Sequence, residues 1–382
     1  MRMAFTSLGI SEALQKTAAS LGYTDAYPIQ QQAIPAILAG RDVLALAQTG
    51  SGKTAGFVLP ILERLSGQAP VADRRPRVLV LVPTRELAGQ VGEVFKSLSA
   101  GLPRRIKIGM VFGGVSINPQ MMRLHGTDVL VATPGRLLDL LERKALQLSG
   151  VEVLVLDEAD KMLNLGFRDE MKQLLALLPG RQQNLLFSAT MDGELQAITE
   201  RLLRNPLRIE IAPEGSTPDQ IRQLAYRVSA ERKGPFLRYL IKEHKLQQVL
   251  VFVSSVRTAD NLSAKLIKNG IPALPLHSQK SQGARTEALR RFKQGKLQVL
   301  VATDLASRGI DILELPHVIN YDLPRSPKDY VHRIGRTGRA AATGEAISLI
   351  TPEDEHHFGV IQKKMGRTVA LLESEGINLH GV

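Results

Sequence analysis

Two stretches of the chain place reactive side chains at telling intervals. In VEVLVLDEAD (Val151 to Asp160) an apolar run delivers three carboxylates, Asp157, Glu158 and Asp160. One acid in such a place suits a magnesium ion, and its neighbour suits positioning and deprotonating a water. In AQTGSGKT (Ala47 to Thr54), Gly50 and Gly52 let backbone N–H groups approach phosphate oxygens, with Gln48, Thr49 and Ser51 completing the loop. Lys53 then reaches the β- and γ-phosphates of a nucleotide, and the Thr54 hydroxyl can ligate the metal. The acidic stretch alone also fits a solvated turn after a core strand. The phosphate loop decides against that.

The elements around these groups follow from the apolar patterning. Val153 to Leu156 lacks polar alternation, which predicts a central parallel strand covered on both faces; ligands in such sheets bind at the carboxyl ends of strands. The run Val43 to Ala47 predicts a strand before the phosphate loop, and Ala55 to Leu65 a helix after it. Val78 to Val82 ends in PTREL, and Val129 to Ala132 ends in TPGR, so Arg85, Thr133 and Arg136 would line the same rim with hydroxyl and guanidinium groups. Phosphate backbones are bound by that inventory. Gly113-Gly114 lies between them, where backbone can approach a ligand. After the acids, 166–178 is predicted helical. Asn184 to Phe187 is predicted as a strand ending in Ser188-Ala189-Thr190, whose hydroxyls can bond to the acids, with a helix over 194–203 and a strand near 207–211 beyond. Upstream, GYTDAYPIQ (Gly22 to Gln30) precedes a helix predicted over 31–38. A glutamine amide pairs with adenine N6 and N7, so Gln30 is a candidate base reader and Phe5 its stacking partner; capping a helix is the other reading of Gln30.

The 382 residues are enough for two domains of ordinary size. There is no cysteine, which removes disulfides and cysteine-ligated metal sites and suits a reducing compartment. The start, MRMAFTSLGISEALQ, lacks the apolar core of a signal peptide, and no apolar run is long enough to span a membrane. A cytoplasmic protein is expected. The net charge is +12, unevenly spread: residues 1–219 carry 24 basic and 22 acidic side chains, residues 220–382 carry 25 and 15. A polyanion held mainly by the second half would explain that asymmetry, as would a merely basic surface.

APEGSTPDQ (212–220) reads as a flexible linker. Beyond it the chain echoes itself: VLVFVSS (Val249 to Ser255) resembles VLVLVPT (Val78 to Thr84), and VLVATDLASR (Val299 to Arg308) resembles VLVATPGR (Val129 to Arg136), at intervals of 50 and 51 residues. Two copies of one α/β fold are expected, the second without a phosphate loop. It has DYVHRIGRTGR (Asp329 to Arg339) instead. The cluster Arg333, Arg336 and Arg339 calls for an anion; arginine against a transferring phosphoryl group is worth about 10³ to 10⁵ in rate. The rival reading is a grip on nucleic-acid phosphates, shared with Arg285 and the Arg290-Arg291-Lys293 run, which also suits a solvated helix face. The last strand is expected over 346–350 and a helix over 353–365. His356-His357 lacks a third ligand. No zinc motif or arginine-glycine repeat follows, so a catalytic core without an addressing module is expected.

Taken together, these motifs resemble those of DEAD-box ATP-dependent RNA helicases of superfamily 2, in family order from Phe5 to about Ile350. SINPQ (116–120), SQGAR (281–285) and GRAAATGEA (338–346) are most similar to the bacterial RhlE-like subgroup. The resemblance implies two tandem RecA-like domains, each a mostly parallel sheet flanked by helices: 1–211 with ATP and Mg²⁺, the linker 212–220, then 221–367 with the RNA grip and arginine fingers, and a short tail, 368–382. It implies that Gln30 reads adenine, Lys53 and Thr54 bind triphosphate and metal, Asp157 holds the metal through water, and Glu158 activates the attacking water. Ser188 and Thr190 would couple hydrolysis to strand separation, Asp311 would touch the ribose, Arg336 and Arg339 would be the fingers, and His332 would join the catalytic set. RNA contacts would fall on Arg85, Gly114, Thr133, Arg136, Gln282, Arg285 and Thr303. The family's adenine motif carries Pro-Thr where this chain has Ala26-Tyr27. The implied activity is closure of both domains on ATP and one RNA strand, locally unwinding a duplex, in a core expected to be monomeric. A DNA-directed translocase and an ATP-gated RNA clamp are the rivals; the duplicated fold and basic second half disfavour a small-molecule kinase.

Overall fold

The computed structural model describes residues 5–48, 50–211, 221–304, 315–337 and 344–379. The chain forms two compact units, Met1–Pro213 and Glu214–Val382. The linker expected at 212–220 lies outside the described residues, as do Thr49, Asp311 and Arg339.

The first unit is built on seven parallel strands: β1 (Val43–Leu46), β2 (Val78–Leu81), β3 (Ile108–Val111), β4 (Val129–Ala132), β5 (Val153–Asp157), β6 (Gln183–Ser188) and β7 (Leu207–Glu210). Their order across the sheet is β3-β4-β2-β5-β6-β1-β7. The uniform apolar runs are explained by burial on both faces. Val43, Val78, Val80, Val131, Val155 and Phe187 face one core, where Phe57 packs its ring 5.2 Å from that of Phe187. Leu44, Leu79, Leu81, Leu130, Leu154 and Leu186 face the other. Because side chains alternate along a strand, the runs of β2, β4 and β5 supply valines to one layer and leucines to the other.

The second unit has β8 (Ile221–Arg227), β9 (Val249–Val253), β10 (Ala273–Leu276), β11 (Val299–Thr303), β12 (His317–Asn320), β13 (Gly344–Ile350) and β14 (Leu371–Glu373). Its order, β10-β11-β9-β12-β13-β8-β14, is the first sheet's order shifted by seven. The register repeats too: Val78 pairs with Val129 and Val153, and Val249 pairs with Val299 and His317. The echo read between β2 and β9, and between β4 and β11, is a true correspondence of position.

Within the segment expected as a short tail, the described residues 368–379 are docked on the second sheet: β14 pairs in parallel with β8, the Ser374 hydroxyl donates to the Arg227 carbonyl, and Ile377 and Leu379 pack on the core. Helix starts move outward. The helix expected at 31–38 begins at Pro28, because proline suits a first helical turn that needs no donor, and the helix expected at 55–65 runs Lys53–Ser66.

Candidate functional site

All strands of the first sheet are parallel, so their carboxyl ends share one rim. The phosphate loop leaves β1 there, held by a bond from the Ala47 N–H to the Ser188 carbonyl at the end of β6. Gly50 and Gly52 have φ of 84° and 86°, which other residues adopt only with strain. Lys53 opens the following helix with only 7% of its surface exposed, and its ammonium donates to the Ala47 and Gln48 carbonyls at 2.5 and 3.0 Å. Burial pushes that ammonium below its ordinary pKa, while Asp157 and Glu158 pull it back up. The loop thus folds its lysine onto itself where phosphate oxygens would otherwise meet it.

Asp157 ends β5 and is buried, and its Oδ1 has no hydrogen-bond partner. Burial, reinforced by the charge of Glu158, pushes its carboxyl up to about 7. Glu158 takes a left-handed conformation, φ 53° and ψ 48°, at the start of the helix Ala159–Asn164. For a residue with a side chain that costs roughly 1–3 kcal/mol, and it turns the carboxylate out of the strand line. One oxygen takes the Lys161 ammonium at 2.7 Å; Oε2 is buried without a partner. The hydroxyl-to-acid contact expected from Ser188 and Thr190 is made at Asp160. Thr190 donates to Asp160 Oδ2 at 2.8 Å, Ser188 donates to the Thr190 carbonyl at 2.8 Å, and Ser188 accepts the Asp160 N–H at 3.4 Å.

On the neighbouring strands the rim changes character. Arg85 starts the helix after β2, behind Thr84, whose hydroxyl caps it by accepting the Leu87 N–H. Its guanidinium lies against Gly114 (φ 74°), so closely that a Cβ there would stand 2.1 Å from Nη1. Arg136 donates to the Val115 carbonyl at 2.9 Å, and Thr133 sits at the end of β4. Gln120, in SINPQ, clamps the intervening loop through the Phe112 N–H and carbonyl and the Ser116 carbonyl. Arg85, Gly114, Thr133 and Arg136 are therefore gathered on the β3-β4-β2 half of the rim, and the acids and phosphate loop on the β5-β6-β1 half.

The second unit repeats half of this arrangement. Thr303 ends β11 in the register of Thr133 on β4, and Gln282 and Arg285 lie in the first turn of the helix after β10, capped by Ser281. The helix Pro327–Ile334 carries the exposed His332, and the half-buried Arg336 follows it.

Family models described as DEAD/DEAH box helicase and helicase conserved C-terminal domain match residues 27–198 and 232–341. The DEAD-box ATP-dependent RNA helicase CshA of Bacillus subtilis (strain 168) is 39% identical over 368 residues, 96% of this chain and 73% of that one. The chain belongs to the DEAD-box ATP-dependent RNA helicases. RhpA of Helicobacter pylori, a further DEAD-box ATP-dependent RNA helicase, is 39% identical over 376 residues, 98% of this chain and 75% of that one. Among solved structures, S. cerevisiae Dbp5 bound to RNA and ADP BeF3 superposes with a TM-score of 0.82 at 31% identity, covering 97% of this chain and 95% of that one. Mss116p bound to ssRNA and AMP-PNP gives 0.85 at 25%, covering 99% and 80%. The two sheets are the tandem RecA-like domains of this family.

Within this DEAD-box chain several expected roles meet a different geometry. Phe5 is 6% exposed and belongs to the core, so it offers no free ring to a base. Gln30 is fully buried; its Oε1 accepts the Tyr27 N–H at 2.9 Å and its Nε2 donates to the Gly52 carbonyl at 3.0 Å, so in this state it closes a helix start onto the phosphate loop. Arg333 is no free anion receptor. It donates twice to Asp304 at 2.6 and 2.7 Å, to Asn320 Oδ1 and to the Asp322 carbonyl, and its guanidinium lies 4.8 Å from the Phe252 ring centroid. Arg290 is bound to Glu287 and Gln294, two turns along its helix from Gln282 and away from the rim. Sequence reasoning passed over Lys161, though its place three residues after Glu158 on a helix was a usable signal.

Proposed function

We propose that this chain is an RNA-dependent ATPase whose two units close on ATP and one RNA strand, bending that strand so that its partner separates locally. The observation that carries the reading is the divided rim: a phosphate loop with orphaned buried carboxylate oxygens on three adjacent strands, and hydroxyl and guanidinium groups on the next three. RNA and nucleotide in the similar Dbp5 and Mss116p structures support it.

Gln48 to Thr54 cradle the triphosphate, with Lys53 transferring from the loop carbonyls to phosphate oxygens. Asp157 has the free oxygen that a magnesium ion's hydration shell needs, and the Thr54 hydroxyl is its companion; the ion would neutralise the phosphates and polarise the γ-phosphoryl group. Among the described residues no three acids or histidines could hold a metal by themselves, which suits magnesium, since it keeps water and phosphate oxygens as ligands. Glu158, steadied by Lys161, positions and deprotonates the attacking water. Asp160, Ser188 and Thr190 join β5 to β6 and relay the change at the phosphate. Arg336 and Arg339, with His332, complete the site from the second unit, and Asp311 meets the ribose. RNA is held by Arg85, Gly114, Thr133, Arg136, Gln282, Arg285 and Thr303 through phosphates and 2′-hydroxyls, so sequence preference is slight and salt dependence steep. No helix among the described residues is long and apolar enough to cross a membrane; the cytoplasm and the RhlE-like subgroup are the location and branch we propose.

Steady-state ATP hydrolysis with no nucleic acid, with single-stranded RNA and with DNA of the same sequence tests this. RNA alone is expected to stimulate. Equal stimulation by DNA would make the chain a DNA-directed translocase, and none by either would make it a clamp.

A further inference from the structure

The chain has six tyrosines and ten phenylalanines and no tryptophan. Fifteen of these rings are buried or half-buried; Tyr27 stands out at 53% exposed. An exposed tyrosine ring presents a face on which a planar group can stack. Its place is the second observation. Tyr27 immediately precedes the helix Pro28–Leu38, its N–H is bonded to the Gln30 amide, and its ring lies on Gly52, where a Cβ would meet Cδ2 at 3.0 Å and Cγ at 3.2 Å. Tyr27 thus meets the phosphate loop through its ring and the amide assigned to the base through its backbone N–H. The third observation is negative: Phe5, the ring expected to stack on that base, is held in the core.

We propose that the Tyr27 ring is the surface on which the nucleobase of the bound nucleotide rests. This deepens the nucleotide site proposed above and rests on it. A threonine, which the family's motif places here, has no ring to stack, so the contact is a property of this chain. Gln30 is fully buried, its Oε1 taken by the Tyr27 N–H and its Nε2 given to the Gly52 carbonyl, so the exposed ring offers the base a surface without drawing on that amide. The phosphates would stay with Lys53, and the two halves of the ligand would be held by separate side chains.

That separation makes the test. Calorimetric titration of the full chain with ADP and, separately, with inorganic tripolyphosphate compares a ligand with a base and one without. Tyr27→Ala is expected to weaken ADP by about 5- to 100-fold, the range of base stacking on aromatics, and to leave tripolyphosphate unchanged. Tyr27→Phe is expected to keep wild-type affinity for both. The proposal is overturned if Tyr27→Ala binds ADP as wild type does, or if it loses ADP and tripolyphosphate in step, since Tyr27 would then only brace Gly52. Wild type binding neither ligand would remove the nucleotide site and this contact together. Wild type binding both but insensitive to Tyr27→Ala would remove this contact alone. Since Tyr27 is exposed, its variants are expected to fold.

Discussion

Lys53 and Lys233 occupy the same place in two sheets of identical strand order. Each opens the helix that follows the strand next to the last, β1 in one sheet and β8 in the other, and each is almost wholly buried, 7% and 6% exposed. The equivalent registers of β5 and β12 make Tyr321 the counterpart of Asp157, and Asp322 that of Glu158, each within its own sheet. From there the two sites part. In the first, among the described residues, Lys53 bonds only to loop carbonyls, and oxygens of Asp157 and Glu158 have no partner. In the second, Lys233 pairs with Asp322 at 3.4 Å and Asp354 at 3.8 Å, and lies 5.4 Å from the Tyr321 ring centroid. Asp322 also takes the N–H and hydroxyl of Ser254, and its carbonyl takes Arg333. Burial, helped by Asp322, pushes the Tyr321 phenol up to about 12, so this place holds a neutral ring where the first unit holds an acid. The loop before Lys233, VSAER, has no glycine to bring backbone N–H groups to a phosphate. A ligand site and a structural pin thus share one scaffold position. The difference is whether the polar groups are left for a ligand or closed on one another.

The largest effect expected is on nucleotide binding. Lys53→Ala should remove measurable ADP affinity, because its ammonium has no substitute in the loop, whereas Lys233→Met should leave ADP affinity within about threefold. Calorimetry on both variants checks this. Loss of ADP binding in Lys233→Met would break the contrast by making the second lysine part of the ligand site.

Next in size is stability. Lys233→Met leaves the Asp322 carboxylate without its cation while its other bonds persist, which should cost about 1–3 kcal/mol and lower the melting temperature of the second unit by roughly 3–10 °C. Asp322→Asn added to it removes the stranded charge and should return part of the loss. Thermal melts of the two singles and the double form a cycle. A double variant no more stable than Lys233→Met would mean that the pin is packing and not charge.

This contrast also marks where sequence reading runs out. Strand runs, the glycines and lysine of the phosphate loop, and the acids at the end of β5 are contiguous signals with one physical meaning each, and the repeat of V-L-V runs located the second sheet. Lys233 carried no such signal, since without glycines a lysine opening a helix looks ordinary. Arg333 looked like its neighbour Arg336 because its partners, Asp304 just after β11 and Asn320 on β12, come from elsewhere in the chain. β14 is three residues long and forms only because β8 offers it an edge. Phe5 was assigned to a base for being aromatic and near the right helix; burial is decided by elements far along the chain.

The finest test of the comparison is the acid that the second unit lacks. Asp157 titrates at about 7 in the fold against an ordinary carboxylate value of 3.8, burial being the main cause. Below about pH 4 it is protonated folded or unfolded. As pH rises to 7 the folded chain keeps a proton that the unfolded chain has released, and above 7 the fold must bury the charge. Stability from this residue is therefore present at low pH and lost as pH passes through about 7. Asparagine is neutral throughout, so Asp157→Asn should gain on wild type between pH 6 and pH 8 without nucleotide or metal. The whole shift, in which the pull of Lys53 is already counted, corresponds to about 4 kcal/mol accrued between about pH 4 and pH 7, and only its last part, about 1 kcal/mol, falls between pH 6 and pH 8. A gain of about 1 kcal/mol over that interval, or roughly 2–4 °C in the first unit's melting temperature, is expected. A difference between the two proteins that stays the same at both pH values would show that the Asp157 carboxylate is satisfied without a ligand, and the contrast with the closed second site would fall.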